Sequence, residues 1–279
     1  MGYDKLRKFA ENRTFSCLLQ PDAADVLDRS SADAGLHLKE HPIRGHWNEK
    51  MFDAPRPIVL ELGCGKGDYT IALAERHPEC NYIGVDIKGA RLWKGAKYAT
   101  QQSLGNVAFL RTRIEFIGAF FAPGEVAEIW LTFSDPQLKS ENSRLTSPLF
   151  LERYRGFLAP GGRVHLKTDS RFLYEYSLAT ARANGLTVLC ADTDIYAAEG
   201  DTLGPTDLGM TGMASDLLTV QTFYERMFLE MGLPITYLSF LLDHDGPFVH
   251  PADFDADYWR RAEGPRRTFS HQRPKQLKQ

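Results

Sequence analysis

Short apolar runs alternate with longer amphipathic stretches along the middle of the chain. Residues 58–62 are apolar except for Glu61, and such a run reads as a strand buried on both faces of a parallel sheet. Gly63, Gly65 and Gly67 follow it, and residues 69–76 read as a helix capped by Asp68. Residues 81–86 form the next strand. Residues 89–104 are helical by their spacing, with Leu92, Trp93, Ala96 and Ala99 on or near one stripe. Residues 107–111 and 126–133 are the third and fourth strands. Residues 146–158 are a helix with Leu149, Phe150, Tyr154, Phe157 and Leu158 inward, and 159–162 are a turn. A fifth strand at 163–167, a helix at 171–183 and a sixth strand at 186–190 follow. A polar stretch at 192–216 precedes a helix from 219 to about 231 and a last strand at 236–242. The regular alternation predicts an α/β, Rossmann-like fold with helices on both faces of a mostly parallel, seven-stranded sheet, its last strand antiparallel.

Chemistry gathers on the turns after these strands. Glycines at 63, 65 and 67 permit positive φ and close approach of a ligand to the backbone. The helix after them directs free N–H groups at the same place. Asp86 ends the second strand, nineteen positions after Gly67, where an acid can accept hydrogen bonds from ribose hydroxyls. This pattern fits either a dinucleotide or S-adenosylmethionine. The spacing is G-x-G-x-G rather than G-x-G-x-x-G, and Glu61 would repel a phosphate placed on the loop. A cofactor with no phosphate and a sulfonium cation suits that setting better. Arg113 and Ile114 follow the third strand, where the adenine ring of a nucleoside would lie. Asp135 follows the fourth strand, beside the glycine loop if ligands bind beyond the carboxyl ends of the strands, and Pro136 stiffens its turn.

Composition narrows the picture further. The 279 residues are 43% hydrophobic, enough for one large domain with appendages. A net charge of −3 does not announce a nucleic-acid binder, so any polyanion contact must be local. One candidate is the N-terminal arm, where Lys5, Arg7, Lys8 and Arg13 lie among Leu6, Phe9 and Phe15. It reads either as an amphipathic surface helix or as an arm that meets phosphate. Trp47, beside Arg44 and His46, either stacks on a base or packs at the core edge, and packing is the preferred reading. Cys17, Cys64, Cys80 and Cys190 form no C-x-x-C pair, which argues against a zinc site and a disulfide framework. With no signal peptide and no run of membrane-spanning length, a cytoplasmic location without membrane or metal is expected. Residues 1–50 read as a basic arm and connection, 51–242 as the catalytic domain, and 243–279 as a solvated, mobile extension with a basic end.

Several stretches together resemble the bacterial tRNA (guanine-N7)-methyltransferases. Lys5-Leu-Arg-Lys-Phe-Ala-Glu11 and Gly45-His-Trp-Asn-Glu49 resemble the N-terminal region of that family, and Leu60-Glu-Leu-Gly-Cys-Gly-Lys-Gly67 resembles its cofactor loop. Arg111-Thr-Arg-Ile-Glu115 is similar to its adenine segment, and Phe133-Ser-Asp-Pro-Gln-Leu-Lys139 to its F-P-D-P-x-x-K signature. Leu166-Lys-Thr-Asp169 and Thr222-Phe-Tyr-Glu225 resemble its T-D and T-x-[FY]-E segments. The resemblance covers roughly residues 1–242 and implies a class I methyltransferase using S-adenosylmethionine on the variable-loop guanine, position 46, of tRNA. It implies that Glu61, Asp86, Arg113 and Asp135 hold cofactor, with Asp135 also catalytic. It places Lys139, Asp169, Thr222, Phe223, Tyr224 and Glu225 on the substrate guanine. Ser134 stands where the family usually has proline, and Gln137 where it often has tryptophan. The oligomeric expectation is a monomer or homodimer. Competing readings are a relative acting on another RNA, a protein side chain or a small molecule, an inactive RNA-binding relative, and a nicotinamide oxidoreductase.

Overall fold

The computed structural model describes residues 2–30, 35–197 and 214–270. In chain order the helices are α1 Gly2–Asn12, α2 Ala23–Val26, α3 Trp47–Lys50, α4 Asp68–Arg76, α5 Gly89–Gln101, α6 Pro148–Arg155, α7 Arg171–Ala183, α8 Ala214–Thr219, α9 Phe223–Glu230 and α10 Ala256–Ser270. The strands are β1 Leu18–Leu19, β2 Ile58–Leu62, β3 Asn81–Asp86, β4 Val107–Arg111, β5 Val126–Thr132, β6 Leu158–Thr168, β7 Val188–Asp192 and β8 Thr236–Leu241. They form one sheet in the order β1-β4-β3-β2-β5-β6-β8-β7. Pairing is parallel except where β8 lies between β6 and β7, antiparallel to both. The antiparallel final strand agrees with expectation.

Period-two alternation on the central strands divides the core between the two sheet faces. Ile58, Leu60, Leu62, Ile129, Leu131, Val164 and Leu166 share one cluster with Leu173 and Leu178 of α7. Val59, Phe109 and Trp130 share the other with Tyr69 and Leu73 of α4, Leu92 and Ala96 of α5, and Phe228 of α9. The same alternation aims Glu61, Thr132 and Lys167 toward the second face, because each lies two positions from an apolar residue of that face or pairs across from another of the set. Strand succession reverses at β2, with β3 and β4 added on one side and β5 and β6 on the other, and in such sheets the ligand crevice lies beyond the strand ends at that switch.

Several expectations are corrected. Among the described residues the sheet has eight strands, not seven, because Leu18–Leu19 adds a short parallel edge beside β4. The sixth strand runs Val188–Asp192, and the turn expected at 159–162 is absorbed into β6, whose register with β5 shifts there. Phe150, Tyr154, Phe157 and Leu158 are buried, but α6 is shorter than expected and Leu149 is 44% exposed. Asp68 is not a cap: Gly67 takes that position with φ +75°, and the Asp68 carboxylate pairs with Lys94 at 2.7 Å. The helix expected from 219 is broken at 220–222, where Thr222 and Glu225 form a capping box that starts α9 afresh. Most of the polar stretch at 192–216 lies outside the described residues.

Trp47 follows its packing reading. It is fully buried, stacks on Phe121 with ring centroids 5.2 Å apart, and donates Nε1–H to the Phe120 carbonyl. The extension after β8, expected to be solvated, packs on the domain as far as Glu263, which is buried, and its end beyond residue 270 lies outside the described residues. Phe254 meets the rings of Phe172 and Tyr176 edge-on at 5.4 Å.

The glycine turn is pressed against α5. A Cβ on Gly67 would lie 2.5 Å from the Phe109 ring, and one on Gly95 would lie 2.6 Å from that ring and 2.7 Å from the Lys66 carbonyl. Overpacking of this kind costs about 1–3 kcal/mol, so Gly95→Ala should lower the Tm in thermal denaturation. An unchanged Tm would show that the loop yields freely to the added methyl group.

Candidate functional site

A cleft enclosing about 590 Å³, its open mouth included, lies at the carboxyl ends of β2 and β5. One wall is the glycine turn, and the opposite wall is Thr222, Phe223 and Tyr224 at the start of α9. Glu61 and Thr132 line it from the strand ends, and Lys66 and Arg91 line it from the turn and from α5.

Hydrogen bonding within the turn decides what it can hold. The Gly63 and Cys64 N–H groups both donate to the Val85 carbonyl, and the Gly67 N–H donates to the Cys64 carbonyl. The Gly65 N–H donates to the Asp86 carboxylate at 3.1 Å. These donors are therefore engaged within the protein, whereas a pyrophosphate-binding turn offers its N–H groups to the ligand. Gly63 and Gly65 have φ of +83° and +60°, and open space lies where their Cβ atoms would be. The turn thus admits a nucleoside against bare backbone, with four of its N–H groups already engaged. This favours a phosphate-free ligand over a dinucleotide.

Glu61 is 4% exposed and tightly held. Its carboxylate accepts from the Thr70 N–H at 2.9 Å and from the hydroxyls of Thr70 and Thr132. Burial pushes its carboxyl up to about 7, against the opposing effect of those hydrogen bonds. A cation arriving in the cleft would favour the ionised form. Asp86 is also buried, and accepts from the N–H groups of Gly65 and Lys88 (2.7 Å), so it organises the turn from behind.

The far wall is fixed by a buried ion pair. Lys167 and Glu225 are both fully buried, with Nζ 2.6 Å from Oε1. Lys167 also donates to the carbonyls of Leu217 and Val220, the latter at 3.2 Å. Glu225 accepts from the Tyr196 hydroxyl at 2.9 Å and from the Thr222 N–H at 3.3 Å. Burial lowers the Lys167 ammonium and raises the Glu225 carboxyl, and each partner opposes the shift of the other. Glu225 was expected at the substrate guanine. In the structure its carboxylate is instead enclosed by Lys167, Tyr196 and Thr222, and it sets the conformation of its neighbours. Phe223 and Tyr224 are half-exposed, edge to face at 5.7 Å, with the Lys66 ammonium 5.2 Å from the Phe223 ring.

The remaining expected residues follow the carboxyl ends of β4, β5 and β6 and are not in the described lining of the cleft. Asp135 is exposed on the loop after β5, and its Oδ1 accepts from the Gln137 N–H at 2.9 Å. Phe133 and Gln137 flank it with φ of +50° and +46°, an uncommon backbone for such side chains and one that clusters at functional sites. Lys139 is exposed and Asp169 half-buried at the tip of β6. Arg113 is 55% exposed and paired with Glu115 at 3.2 Å. Thr132, Lys167 and Arg91 were not singled out from the sequence. The buried lysine carried one available signal, its place beside Thr168 and Asp169 in an otherwise apolar strand.

The family model described as "Putative methyltransferase" matches residues 55–203. A tRNA (guanine-N(7)-)-methyltransferase of Bacteroides fragilis is 42% identical over 93% of this chain and 94% of its own length. Proteins of the same description are 47% identical in Porphyromonas gingivalis, over 81% and 89% of the two chains, and 45% identical in Christiangramia forsetii, over 85% and 97%. The fold is similar to the crystal structure of the 16S rRNA methyltransferase KamB, with a TM-score of 0.51 and 14% identity, over 74% of this chain and 95% of that one. Among the described residues no helix is long and apolar enough to cross a membrane, and no group of three or more His, Cys, Asp or Glu is arranged to hold a metal ion.

The buried pair makes a direct prediction. Lys167→Met strands the Glu225 charge and should cost about 3–5 kcal/mol in chemical denaturation, with much of it recovered in Lys167→Met/Glu225→Gln. A single variant as stable as the parent chain would remove the pair as a constraint on the cleft wall.

Proposed function

The chain belongs to the family of tRNA (guanine-N(7)-)-methyltransferases, and on that footing we propose that it methylates N7 of the variable-loop guanine, position 46, of tRNA in the cytoplasm. S-adenosylmethionine is the methyl donor: its sulfonium presents an electrophilic methyl group, and the S–CH₃ bond breaks as the N7–CH₃ bond forms. The observation that carries the proposal is the cleft itself. It joins a phosphate-free nucleoside pocket at Gly63 and Gly65 to two half-exposed aromatic rings on the opposite wall.

Guanine N7 has an in-plane lone pair and carries no proton, so the protein needs no strong general base. Its task is to orient two reactants at near-attack distance and keep the base out of the RNA stack. Glu61, Asp86 and the glycine turn are assigned to the donor, with Arg113 on its adenine side. Glu61 supplies negative charge at the floor, and Asp86 has lone pairs for ribose hydroxyls beyond the two N–H groups it already accepts. Phe223 and Tyr224 offer faces on which an extruded base can stack. Asp169 is assigned to the donor edge of guanine, N1–H and the 2-amino group, leaving N7 free. Lys139 is assigned to the ribose-phosphate, since an ammonium against N7 would compete for the lone pair. Asp135 is assigned to the space between the two ligands, to orient the base and stabilise the positive charge that moves onto the guanine ring.

The N-terminal arm supports a polyanionic substrate. Helix α1 packs on α5, where Arg7, Lys8 and Lys97 all stand within 5.3 Å of the Trp93 ring centre. Asp4 and Glu11 pair with these cations, so the arm is a structured, partly neutralised surface rather than a loose basic tail. Lys5 and Arg111 share the Phe9 ring and carry the positive surface toward the strand ends.

The test is incubation with labelled adenosylmethionine and an unmodified tRNA transcript, beside a transcript with the variable-loop guanine replaced by adenine. Label in N7-methylguanine from the first alone is expected. Label in both would move the target to another guanine, and label in neither would remove the tRNA assignment. Asp135→Ala should lower turnover by about a hundredfold while changing adenosylmethionine affinity by no more than about threefold. Equal losses in both would make Asp135 a cofactor residue only.

A further inference from the structure

The C-terminal segment touches both loops to which substrate contacts are assigned. Arg260, on α10, donates from Nε and Nη2 to one acceptor, the Leu138 carbonyl, at 3.2 and 3.1 Å. Leu138 is buried and directly precedes the exposed Lys139. Three residues further along α10, the buried Glu263 accepts from the Phe172 N–H at 3.2 Å. Phe172 lies in the first turn of α7, three residues after Asp169. A carboxylate there satisfies an otherwise orphaned helix N–H and opposes the positive end of the helix dipole.

A second set of contacts fixes the same junction. Arg144, at the end of the loop after β5, is 2% exposed and lies between the rings of Phe172 at 4.7 Å and Tyr176 at 4.2 Å. His250 reaches Glu141 at 3.2 Å and Asn142 at 3.1 Å from the other side. The loop is therefore held at Leu138 and again at 141–144, and the stretch between carries Lys139.

We propose that Arg260 and Glu263 are positioning residues, and that α10 clamps the Asp135–Lys139 loop and the Asp169 turn at a fixed separation so that both meet one guanosine. This rests on the substrate assignment above. One helix face supplies both contacts, so a shift of either loop is passed to the other. Two charged side chains of this segment, Arg260 and Glu263, then serve the active site through two backbone groups.

The experiment compares the full-length chain with Arg260→Ala, Arg260→Lys, Glu263→Leu and Glu263→Gln. Turnover on tRNA should fall about tenfold in Arg260→Ala and Glu263→Leu, with adenosylmethionine affinity within about twofold of the parent. Arg260→Lys should recover part of the loss, because an ammonium still donates to Leu138. Glu263→Gln should recover most of it, because the amide oxygen still accepts from Phe172. Amide hydrogen exchange should rise at residues 134–140 in Arg260→Ala with or without substrate. Unchanged exchange and turnover would overturn the clamp. So would parallel losses of Tm and adenosylmethionine affinity without rescue, which mark a merely structural role. A parent chain that methylates no tRNA guanine would sink the functional reading, while the exchange measurement would still decide the clamp.

Discussion

A lysine ammonium and a glutamate carboxylate with no access to water can exist side by side only if every donor and acceptor around them is satisfied. Lys167 and Glu225 meet that condition through Leu217, Val220, Tyr196 and Thr222. The result binds the chain from 217 to 225 to the centre of the sheet. Together with the buried side chains of Leu217, Val220 and Phe228, the pair holds the start of α9 over the strand ends as the second wall of the cleft. The pair also explains why α8 and α9 are separate helices. The Glu225 side chain is needed at the box that starts α9, and the carbonyls of Leu217 and Val220 are turned toward the ammonium.

The opposite wall is built by a different economy of groups. The glycine turn satisfies its own N–H groups on Val85, Cys64 and Asp86, leaving bare Cα positions facing open space. The two walls therefore differ in kind. One is backbone without side chains, suited to a flat nucleoside. The other is aromatic and half-exposed, suited to a second flat ring. Glu61 lies at the floor, its carboxyl raised by burial and responsive to a cation placed above it. This asymmetry fits a donor that carries positive charge and an acceptor that is a base lifted from RNA.

Around the cleft, the outer contacts act on loops rather than on ligands. The loop after β5 takes two left-handed backbone conformations at Phe133 and Gln137 and is held from outside by Arg260 and Arg144. Strain of about 1–3 kcal/mol per such residue persists only where the surroundings overdetermine it. Here they do: β6 receives the Phe133 N–H, the Asp135 carboxylate receives the Gln137 N–H, and α10 grips the Leu138 carbonyl.

Strand identity and order were legible in the sequence because apolar runs and glycine punctuation are local signals. Residues 58–62, 81–86 and 107–111 follow their predicted bounds, and the period-two alternation already implied that Glu61 faces away from Leu60 and Leu62. The glycine turn and Asp86 at the end of β3 were legible for the same reason, whereas the Thr222–Glu225 box interrupts a helix that the pattern runs on from 219. Other features depend on contacts between distant segments. A two-residue edge strand such as Leu18–Leu19 has no periodicity to read and forms only because β4 offers an open edge. Glu225 looked like a substrate ligand because its motif shows a carboxylate but not the buried ammonium 58 positions earlier in the chain. Composition likewise cannot show that Arg260 and Glu263 of the charged C-terminal segment find backbone partners on two separate loops. The sequence by itself determined the fold class, the glycine turn after β2 and the family. Tertiary structure decided which carboxylates face the cleft and which are consumed in holding it, because that depends on where cations from other elements arrive.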